Sequence, residues 1–386
     1  MSTSSQRAGT IAIAASAGFI AGVYALFPAV MAIAARVRPR PVAHDGRLPA
    51  SVSVVIAAHN EAEAIGRKLD DVAAQSVSNR ITIQTIISSD GSTDATVAIA
   101  RAHPSESTIL DLPRGGKAAA MNAAIDLAEG DVVVFTDANS RLGPEVFERL
   151  LNPFRDPEVG GVAGDQRYDN GESGTADSEG TYWSFERSLK TWESTVGNVV
   201  SATGTLHAIR RELVDEVPGD VTDDFYLSTG VISRGHRLVF AGDAVAWEMP
   251  NNSAGAEYRR RVRIITRGLT AVWRRRDLLD PRRHGAYAAV LFVHKVARRL
   301  VFVPMVVTLV GSFAARRRPV VAVVLAGQVA FYALAIIGVV APKHRFGRQR
   351  VVALPAHFCV ANAAAAHAVV NLARSKHYVT WTPERA

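Results

Sequence analysis

Acidic side chains stand at three places where their spacing could support chemistry. Asp90 and the pair Asp137-Ala-Asn139 each follow a run of β-branched residues, and Asp223 and Asp224 stand together further along the chain. Alternate oxygen ligands after a strand suit a hard divalent cation, which could hold a diphosphate leaving group. For Asp90 alone, helix capping is an equally good interpretation. For the Asp223-Asp224 pair, the alternative is two solvated acids before a helix.

Other nucleotide and hydrolase signatures are missing from the sequence. No G-x-G-x-x-G follows the first predicted strand, and Arg114-Gly-Gly-Lys117 lacks both the second spaced glycine and the following Ser or Thr of a phosphate loop. No nucleophile elbow with a Ser-His-Asp set is present. The single cysteine, Cys359, excludes an internal disulfide framework and cysteine-cluster metal sites.

Strands alternate with helices in the part of the chain that carries the acids, which predicts a mostly parallel α/β sheet. In such sheets ligands bind at the carboxyl ends of strands, where both Asp90 and Asp137 are expected to stand. The hydrophobic patterns predict strands over 51–57, 81–88 and 131–136, and helices over 61–74, 95–102 and 118–128.

Composition points to a water-soluble domain combined with membrane segments. The chain has 386 residues, of which 48% are hydrophobic and 21% charged, and a formal net charge of +8. The uncharged run from Ile11 to Ala35 is long enough to cross a bilayer, although a signal peptide is the competing interpretation. Arg36, Arg38 and Arg40 follow this run, which places the next domain in the cytoplasm. Because the basic charge lies beside apolar segments, we expect membrane lipids as partners and no nucleic acid.

These patterns predict a multi-pass protein of the cell membrane with a cytoplasmic soluble domain. The stretch 284–299 interleaves apolar residues with His294, Lys295 and Arg298, as in a helix that lies in the membrane interface; an ordinary amphipathic core helix is the alternative. The side on which the C-terminus lies stays open. The predicted organisation is an N-terminal anchor over 1–40, a soluble domain over 50–283, an interfacial helix over 284–299, C-terminal transmembrane helices over 300–373 and a tail over 374–386.

Seven short motifs follow one another in the order typical of one enzyme family. On these motifs the chain resembles the family 2 glycosyltransferases with the GT-A fold, of the membrane-anchored bacterial type related to polysaccharide synthases. The resemblance covers nearly the whole chain. The motifs are Val55-Ile-Ala-Ala-His-Asn-Glu61, Ser89-Asp-Gly-Ser-Thr-Asp94, Arg114-Gly-Gly-Lys-Ala-Ala-Ala-Met-Asn122, Val134-Phe-Thr-Asp-Ala-Asn139, Ala202-Thr-Gly-Thr205 with Ala208-Ile-Arg-Arg211, Val221-Thr-Asp-Asp224, and Arg260-Arg-Val-Arg-Ile-Ile-Thr-Arg-Gly268.

The resemblance implies transfer of a sugar from a nucleotide-sugar donor, UDP-linked by family default, to a lipid-linked or polysaccharide acceptor in cell-envelope glycan synthesis. It implies that Ala57, His59, Glu61 and Asp90 hold the nucleoside. Lys117 is expected close to the nucleotide or its sugar.

The resemblance also implies a metal site and a catalytic base. Asp137 and Asn139 would ligate Mg²⁺ or Mn²⁺, with Asn139 in place of the second Asp of the usual pair. Gly204 and Asp223 would lie on the acceptor side, and Asp224 would be the base. A single base and a single displacement invert the configuration at the anomeric carbon, unlike the two-carboxylate cycle of retaining glycosidases.

A cluster of arginines begins at residue 259. On a helix, Arg260, Arg263 and Arg267 share one face. We expect Arg263 and Arg267 to contact the nucleotide and the other arginines to contact anionic lipid, although all of them could simply rest on the membrane. Processive synthases carry Gln-x-x-Arg-Trp, whereas this chain has Arg260, Arg263 and Ile264 at those positions. A processive synthase that extrudes its polymer and an inactive nucleotide-sugar-binding scaffold are the two alternatives.

Overall fold

A computed structural model describes residues 3–75, 81–168, 176–248, 254–342, 344–347, 349–376 and 378. Its strands are β1 Ser51–Ala58, β2 Thr82–Asp90, β3 Thr108–Leu112, β4 Val132–Thr136, β5 Arg141–Leu142, β6 Val159–Tyr168, β7 Leu206–Arg210 and β8 Arg237–Glu248. Its α-helices are α1 Thr3–Ala21, α2 Phe27–Val37, α3 Ile65–Ala73, α4 Thr96–Ala102, α5 Lys117–Asp126, α6 Val146–Leu151, α7 Ala176–Val196, α8 Asp223–Ser233, α9 Ala254–Arg274, α10 Pro281–His284, α11 Ala286–Leu291, α12 Phe302–Ala315, α13 Pro319–Val340 and α14 Arg350–Ala373. Gly22–Leu26 and Phe292–Val296 are π-helical turns, and Asn152–Arg155, Arg211–Leu213, Arg276–Leu279 and Ala297–Arg299 are 3-10 turns.

The eight strands form one mixed sheet in the order β3-β2-β1-β4-β7-β6-β8-β5. The half from β3 to β4 is entirely parallel, β7 runs antiparallel to both of its neighbours, and β6 pairs with β8 in parallel. The predicted mostly parallel α/β sheet is therefore confirmed. Because β1, β2 and β4 are parallel, the residues that end them meet at one edge of the sheet.

Strand β1 is apolar along most of its length because both of its faces are buried. Val52, Val54 and Ile56 pack into one core cluster, whereas Val55 and Ala57 pack into the cluster on the opposite face of the sheet. A parallel strand covered on both faces reads as an unbroken hydrophobic run. The position of β1 at the centre of the parallel half follows from that run.

Element boundaries differ from the predicted ones where side chains compete with the backbone pattern. Helix α3 begins at Ile65 instead of residue 61, because the backbone N–H groups of Ala64 and Ile65 both donate to the carbonyl of Glu61 in a tight turn. Strand β2 continues to Asp90, which pairs with Leu112 of the unpredicted strand β3.

Among the residues that the structure describes, three helical stretches are long and apolar enough to cross a membrane, namely residues 4–37, α13 and α14. A fourth is formed if Ala286–Arg299 and α12, bent by 53°, count as one span. Helix α1 packs tightly on α12, since a Cβ added to Gly9 would lie 2.6 Å from the carbonyl oxygen of Gly311. The domain boundaries and the orientation in a membrane stay predictions.

The segment Ala286–Arg299 packs closely against the sheet domain. Tyr287 and Leu291 belong to the core cluster of the sheet domain, and the Tyr287 hydroxyl donates to the carbonyl of Val200 at 2.8 Å. Arg298 pairs with Glu186 at 2.6 Å, and the Lys295 ammonium lies over the Phe225 ring. These contacts direct the charged groups of Arg298 and Lys295 towards the protein, while the interfacial position of the segment stays a prediction.

Candidate active site

Three charged residues from distant parts of the chain meet at the carboxyl edge of the sheet. Lys117 begins α5, Asp137 follows β4 and Asp223 begins α8. The Lys117 Nζ lies 2.9 Å from Asp137 Oδ1 and 2.9 Å from Asp223 Oδ2. Gly204 lies against this cluster, because a Cβ at that position would be 3.3 Å from Asp137 Oδ2 and 3.8 Å from Lys117 Nζ. The structure thus brings together four of the residues predicted from the sequence.

Lys117 and Asp223 stabilise each other's charged forms. Burial opposes the charge on Lys117, but Asp137 and Asp223 outweigh it and raise the pKa of the ammonium above its usual range. Burial likewise opposes the charge on Asp223, and Lys117 overcomes it, so the pKa of this carboxyl is lowered. Two carboxylates and one ammonium leave a net negative site that is suited to a cation or to a cation-bound diphosphate.

Asp224 lies next to this cluster in a different electrostatic environment. Burial is the main cause that raises its pKa from 3.8 to about 6, and the neighbouring charge of Asp223 adds to it. The backbone N–H of Phe225 donates to Asp224 Oδ1 at 2.8 Å. Two adjacent carboxyls whose environments push their pKa values apart are typical of an acid-base site.

Asp90 shapes the loop that precedes Lys117. Its Oδ1 accepts hydrogen bonds from the backbone N–H groups of Gly115 and Gly116 at 2.7 and 2.8 Å, and its Oδ2 lies 3.0 Å from Arg114. Gly116 has φ 94°, a conformation that favours glycine. Asp90 is only 2% exposed, so its role here is to hold the loop, and nucleoside binding by this side chain stays a prediction.

The other predicted nucleoside residues lie at the same edge. Ala57 and His59 end β1 or follow it, and the His59 ring nitrogen Nδ1 lies 2.7 Å from the carbonyl oxygen of Asp90. Glu61 is buried, and its backbone N–H donates to Thr96 Oγ1 at 2.7 Å. The structure therefore groups Ala57, His59 and Glu61 with Asp90, as the resemblance implies, without testing their contact with a nucleoside.

The arginine helix α9 contacts the site through one member. Arg267 is buried, and its guanidinium donates to the carbonyl of Val221 through Nε at 2.8 Å and through Nη2. It therefore supports the segment before Asp223 and Asp224, and its contact with the nucleotide stays a prediction. Arg263 is partly exposed, and its contact with the nucleotide stays a prediction.

The site is compatible with Mg²⁺ or Mn²⁺. Asp137 and Asp223 already converge on one cation, the Lys117 ammonium, and both offer the oxygen ligands that such ions prefer. Within the described residues no three His, Cys, Asp or Glu side chains are arranged as a complete metal cage. That fits an ion held by one or two carboxylates together with substrate phosphates. Asn139 is exposed, and its role as a ligand stays a prediction.

Three residues near the cluster escaped the sequence analysis. The Lys68 ammonium donates to Thr136 Oγ1 at 3.2 Å and Ser140 Oγ at 2.9 Å, on either side of Asp137. The His207 ring stacks on Phe135 at 4.9 Å, and burial lowers the pKa of this histidine to about 4, so the ring is neutral.

The third residue is Glu248, which is the last residue of β8. Its carboxylate forms a salt bridge with Arg260 at 2.9 Å. The strand-end rule that selected Asp137 would have found Glu248 too. No comparable signal marks Lys68 or His207, which lie inside regular elements.

Comparison with known proteins was consistent with this geometry. Residues 53–217 match the family model described as glycosyl transferase family 2. An N-acetylglucosaminyltransferase of Rhizobium sp. (strain N33) is 26% identical over 233 residues, which are 55% of this chain and 51% of the relative. A poly-beta-1,6-N-acetyl-D-glucosamine synthase of Staphylococcus aureus (strain COL) is 26% identical over 221 residues, 55% of this chain and 53% of that protein. The chain thus spans about half the length of these curated relatives.

One solved structure matches nearly end to end. It is the mannosyltransferase PcManGT from Pyrobaculum calidifontis in complex with GDP-Man and Mn²⁺, with a TM-score of 0.73 and 24% identity. The match covers 96% of this chain and 100% of that one, so it includes the helices outside the sheet domain. At this identity the likeness shows the fold. The fold of the chain therefore resembles that of a solved mannosyltransferase, and residues 53–217 match the model of glycosyl transferase family 2.

Proposed function

We propose that this protein is a membrane-bound, metal-dependent, inverting glycosyltransferase. It would transfer a sugar from a nucleotide-sugar donor, UDP-linked by preference, to a lipid-linked or polysaccharide acceptor at the cytoplasmic face, in cell-envelope glycan synthesis. The observation that carries the proposal is the placement of Asp224 directly beside the Asp137–Lys117–Asp223 cluster, at the edge of the sheet where ligands of α/β proteins bind.

The cluster would bind the donor. Asp137 and Asp223 would hold Mg²⁺ or Mn²⁺, and such an ion stabilises the negative charge of a departing nucleoside diphosphate. Lys117 would donate to an oxygen of the diphosphate or of the sugar, since its ammonium stays protonated. Ala57, His59, Glu61 and Asp90 would form the nucleoside side of the pocket.

Asp224 would act on the acceptor. Its carboxylate takes the proton of an acceptor hydroxyl while the hydroxyl oxygen forms a bond to the anomeric carbon, and the bond from that carbon to the diphosphate oxygen breaks. One displacement from the side opposite the leaving group inverts the anomeric configuration. A pKa of about 6 leaves Asp224 ionised at neutral pH and close enough to the working pH to accept a proton efficiently.

Single addition fits this chain better than processive synthesis. Arg260 and Ile264 stand where the motif of processive synthases has Gln and Trp. Arg260 forms a salt bridge with Glu248 at 2.9 Å. The names of the curated relatives include a polymer synthase, so product length is the discriminating measurement. Short products of one or a few sugars support single addition, whereas a ladder of long chains supports the processive alternative.

A donor screen tests the proposal. Purified full-length protein in lipid nanodiscs would be mixed with UDP- and GDP-linked sugars, Mn²⁺ and membrane extract, and release of nucleoside diphosphate would be measured. We expect one donor to be consumed in an extract-dependent manner. If no donor is consumed while nucleotide sugar still binds, the inactive scaffold is the better description.

The pH dependence follows from Asp224. Only the ionised carboxylate accepts a proton, and the ionised fraction grows as pH rises. Because the pKa is raised from 3.8 to about 6, kcat/KM should rise with pH up to about 6 and level off above it. Asp224→Asn should remove this acid limb from the residual activity. An unchanged limb in the variant would assign it to another group.

Arginine substitutions on α9 should separate into two classes. Arg267→Lys loses the two N–H groups that donate to the Val221 carbonyl, so kcat and the melting temperature should both fall. Arg263→Ala should raise the donor KM. Arg259→Ala and Arg261→Ala should have mild effects, because a surface contact with anionic lipid contributes about 1 kcal/mol per arginine. Equal small losses in all four, measured in the same liposomes, would mean that the helix is only a membrane contact.

A further inference from the structure

Two lysines lie beside Asp224 and have no place in the mechanism above. Lys190 belongs to α7, and Lys295 belongs to the π-helical turn Phe292–Val296. Both ammonium groups interact electrostatically with Asp224. The Lys295 Nζ lies 5.2 Å from the centre of the ring of Phe225, the residue whose N–H donates to the Asp224 carboxylate. Both lysines remain partly exposed, so a ligand can reach them.

The nearby carboxylates are already engaged with other partners. Within the described residues, neither Lys190 nor Lys295 forms a salt bridge or donates a hydrogen bond, and each ammonium lies instead over an aromatic ring. The engaged pairs are Glu186 with Arg298 at 2.6 Å, Glu193 with His294 at 3.1 Å, and Asp165 with Arg167 and Arg187 at 2.9 Å each. An ammonium withdrawn from water is costly unless its charge is balanced, and the single carboxylate of Asp224 balances at most one of the two, so this pair is suited to an anion that arrives with a ligand.

The lysine pair lies on the acceptor side of the site. Asp223 and Asp224 are successive residues at the start of α8, so their side chains leave the helix about 100° apart. Asp223 points to Lys117 and the donor cluster at 2.9 Å. Among the cations, Lys295 affects Asp224 more strongly than Lys117 does, and Lys190 also interacts with Asp224, so the two carboxylates have different main partners.

The same region contacts the N-terminal candidate membrane span. The Phe27 and His294 rings are 5.9 Å apart, and the Arg298 guanidinium lies 5.5 Å from the centre of the Tyr24 ring. Tyr24 belongs to the π-helical turn Gly22–Leu26. Its partner Arg298 belongs to the segment that contains the second π-helical turn, Phe292–Val296. Such π-helical turns occur often at functional sites. Lys295 thus belongs to a segment that contacts a helical stretch apolar enough to cross a membrane.

We propose that Lys190 and Lys295 bind a phosphate group of the acceptor, so that the hydroxyl deprotonated by Asp224 belongs to a phosphorylated molecule. This inference rests on the proposed function and names its acceptor class. The phosphate is held and not transferred, since the new bond joins the acceptor oxygen to the anomeric carbon. Two separate ammonium groups suit the several oxygens and the double charge of a phosphate ester. A lipid headgroup and a soluble phosphate ester share this chemistry.

Fractionated acceptors test the inference. Membrane lipids would be divided on an anion-exchange column into retained and unretained fractions, and the water-soluble phase of the cells would form a third arm. Transfer from the donor found in the screen would be measured with the full-length protein in nanodiscs. Transfer to retained lipid identifies a phosphorylated headgroup, and transfer only to anionic material of the soluble phase identifies a free phosphate ester. Transfer to the unretained, uncharged lipids would overturn the inference.

Variants link the result to the two lysines. Lys190→Met and Lys295→Met should each raise the KM for the active fraction about ten- to hundredfold, the scale of losing a hydrogen bond to a charged group, with the donor KM unchanged. Lys295→Arg, which keeps the charge, should restore most of the affinity. Lys376→Met makes the same change at an exposed lysine and should have no effect.

Inorganic phosphate provides an independent probe. It should compete with the acceptor in the wild-type protein and lose this effect in Lys295→Met. An unchanged acceptor KM in both methionine variants would refute the inference even if transfer occurs. If the wild-type protein consumes no donor with any fraction, the proposed function itself fails. That outcome differs from transfer to uncharged lipids and from an unchanged acceptor KM, which would refute only the phosphate inference.

Discussion

Asp224→Asn is expected to lower kcat by about 10²–10⁴-fold, the usual contribution of a general base. The substitution keeps the shape of the side chain and removes its ability to accept a proton. Nucleotide affinity should change little, because the main cationic partner of Asp224 is Lys295, whereas Lys117 of the donor cluster is paired with Asp137 and Asp223. Steady-state kinetics with saturating acceptor, combined with calorimetric binding of the nucleoside diphosphate, measures both quantities.

Asp223→Asn is the matched control, since it makes the same change one residue earlier. Asp223 contacts Lys117 at 2.9 Å, so its substitution should weaken donor or metal binding and raise the donor KM. If Asp223→Asn instead removes catalysis at saturating donor while Asp224→Asn stays near the wild-type rate, the base has been assigned to the wrong residue.

Asp137→Ala is expected to abolish divalent-cation binding and to lower kcat/KM by at least about 10³-fold, the upper scale of removing one stabiliser of transition-state charge. The substitution removes one of the two carboxylates that converge on the cation position and leaves Lys117 with Asp223 alone. Binding of Mn²⁺ followed by electron paramagnetic resonance gives a readout that does not depend on turnover. Excess Mn²⁺ should not rescue the variant.

Asn139→Asp is the control for this site. A charged oxygen would replace a neutral one, so Mn²⁺ affinity should stay the same or increase. Chelator should abolish turnover of the wild-type protein. Full activity in chelator, or Mn²⁺ binding by Asp137→Ala equal to that of the wild type, would contradict the metal site.

Much of the sheet and its functional edge could be predicted from local sequence. The strands β1, β2 and β4 are short β-branched runs buried on both faces, and such runs are recognisable without tertiary information. The placement of Asp90 and Asp137 at one edge then follows from parallel pairing. Strand β3 and the mixed half of the sheet could not be predicted in this way, because β3 and β5 are short and β6 contains glycines and charges.

The remaining features of the site depend on contacts between distant segments. The pairing of Lys117 with Asp223 joins the start of α5 to the start of α8 and leaves no periodic trace in the sequence. The amphipathic pattern of 284–299 predicts a helix, which the structure has. The pattern does not predict that Arg298 and Lys295 turn towards the protein, where Glu186 and the Phe225 ring are their partners. Hydrophobic periodicity identifies a face and does not identify what covers it.

The central claim is that Asp224 drives one inverting displacement at the edge of the sheet. The most direct test is proton NMR of the first product, formed by the purified protein from the donor that the screen selects. We predict an anomeric configuration opposite to that of the donor in the wild-type product, with transfer lost in Asp224→Asn. Retained configuration, or transfer by Asp224→Asn at the wild-type rate, would contradict the account.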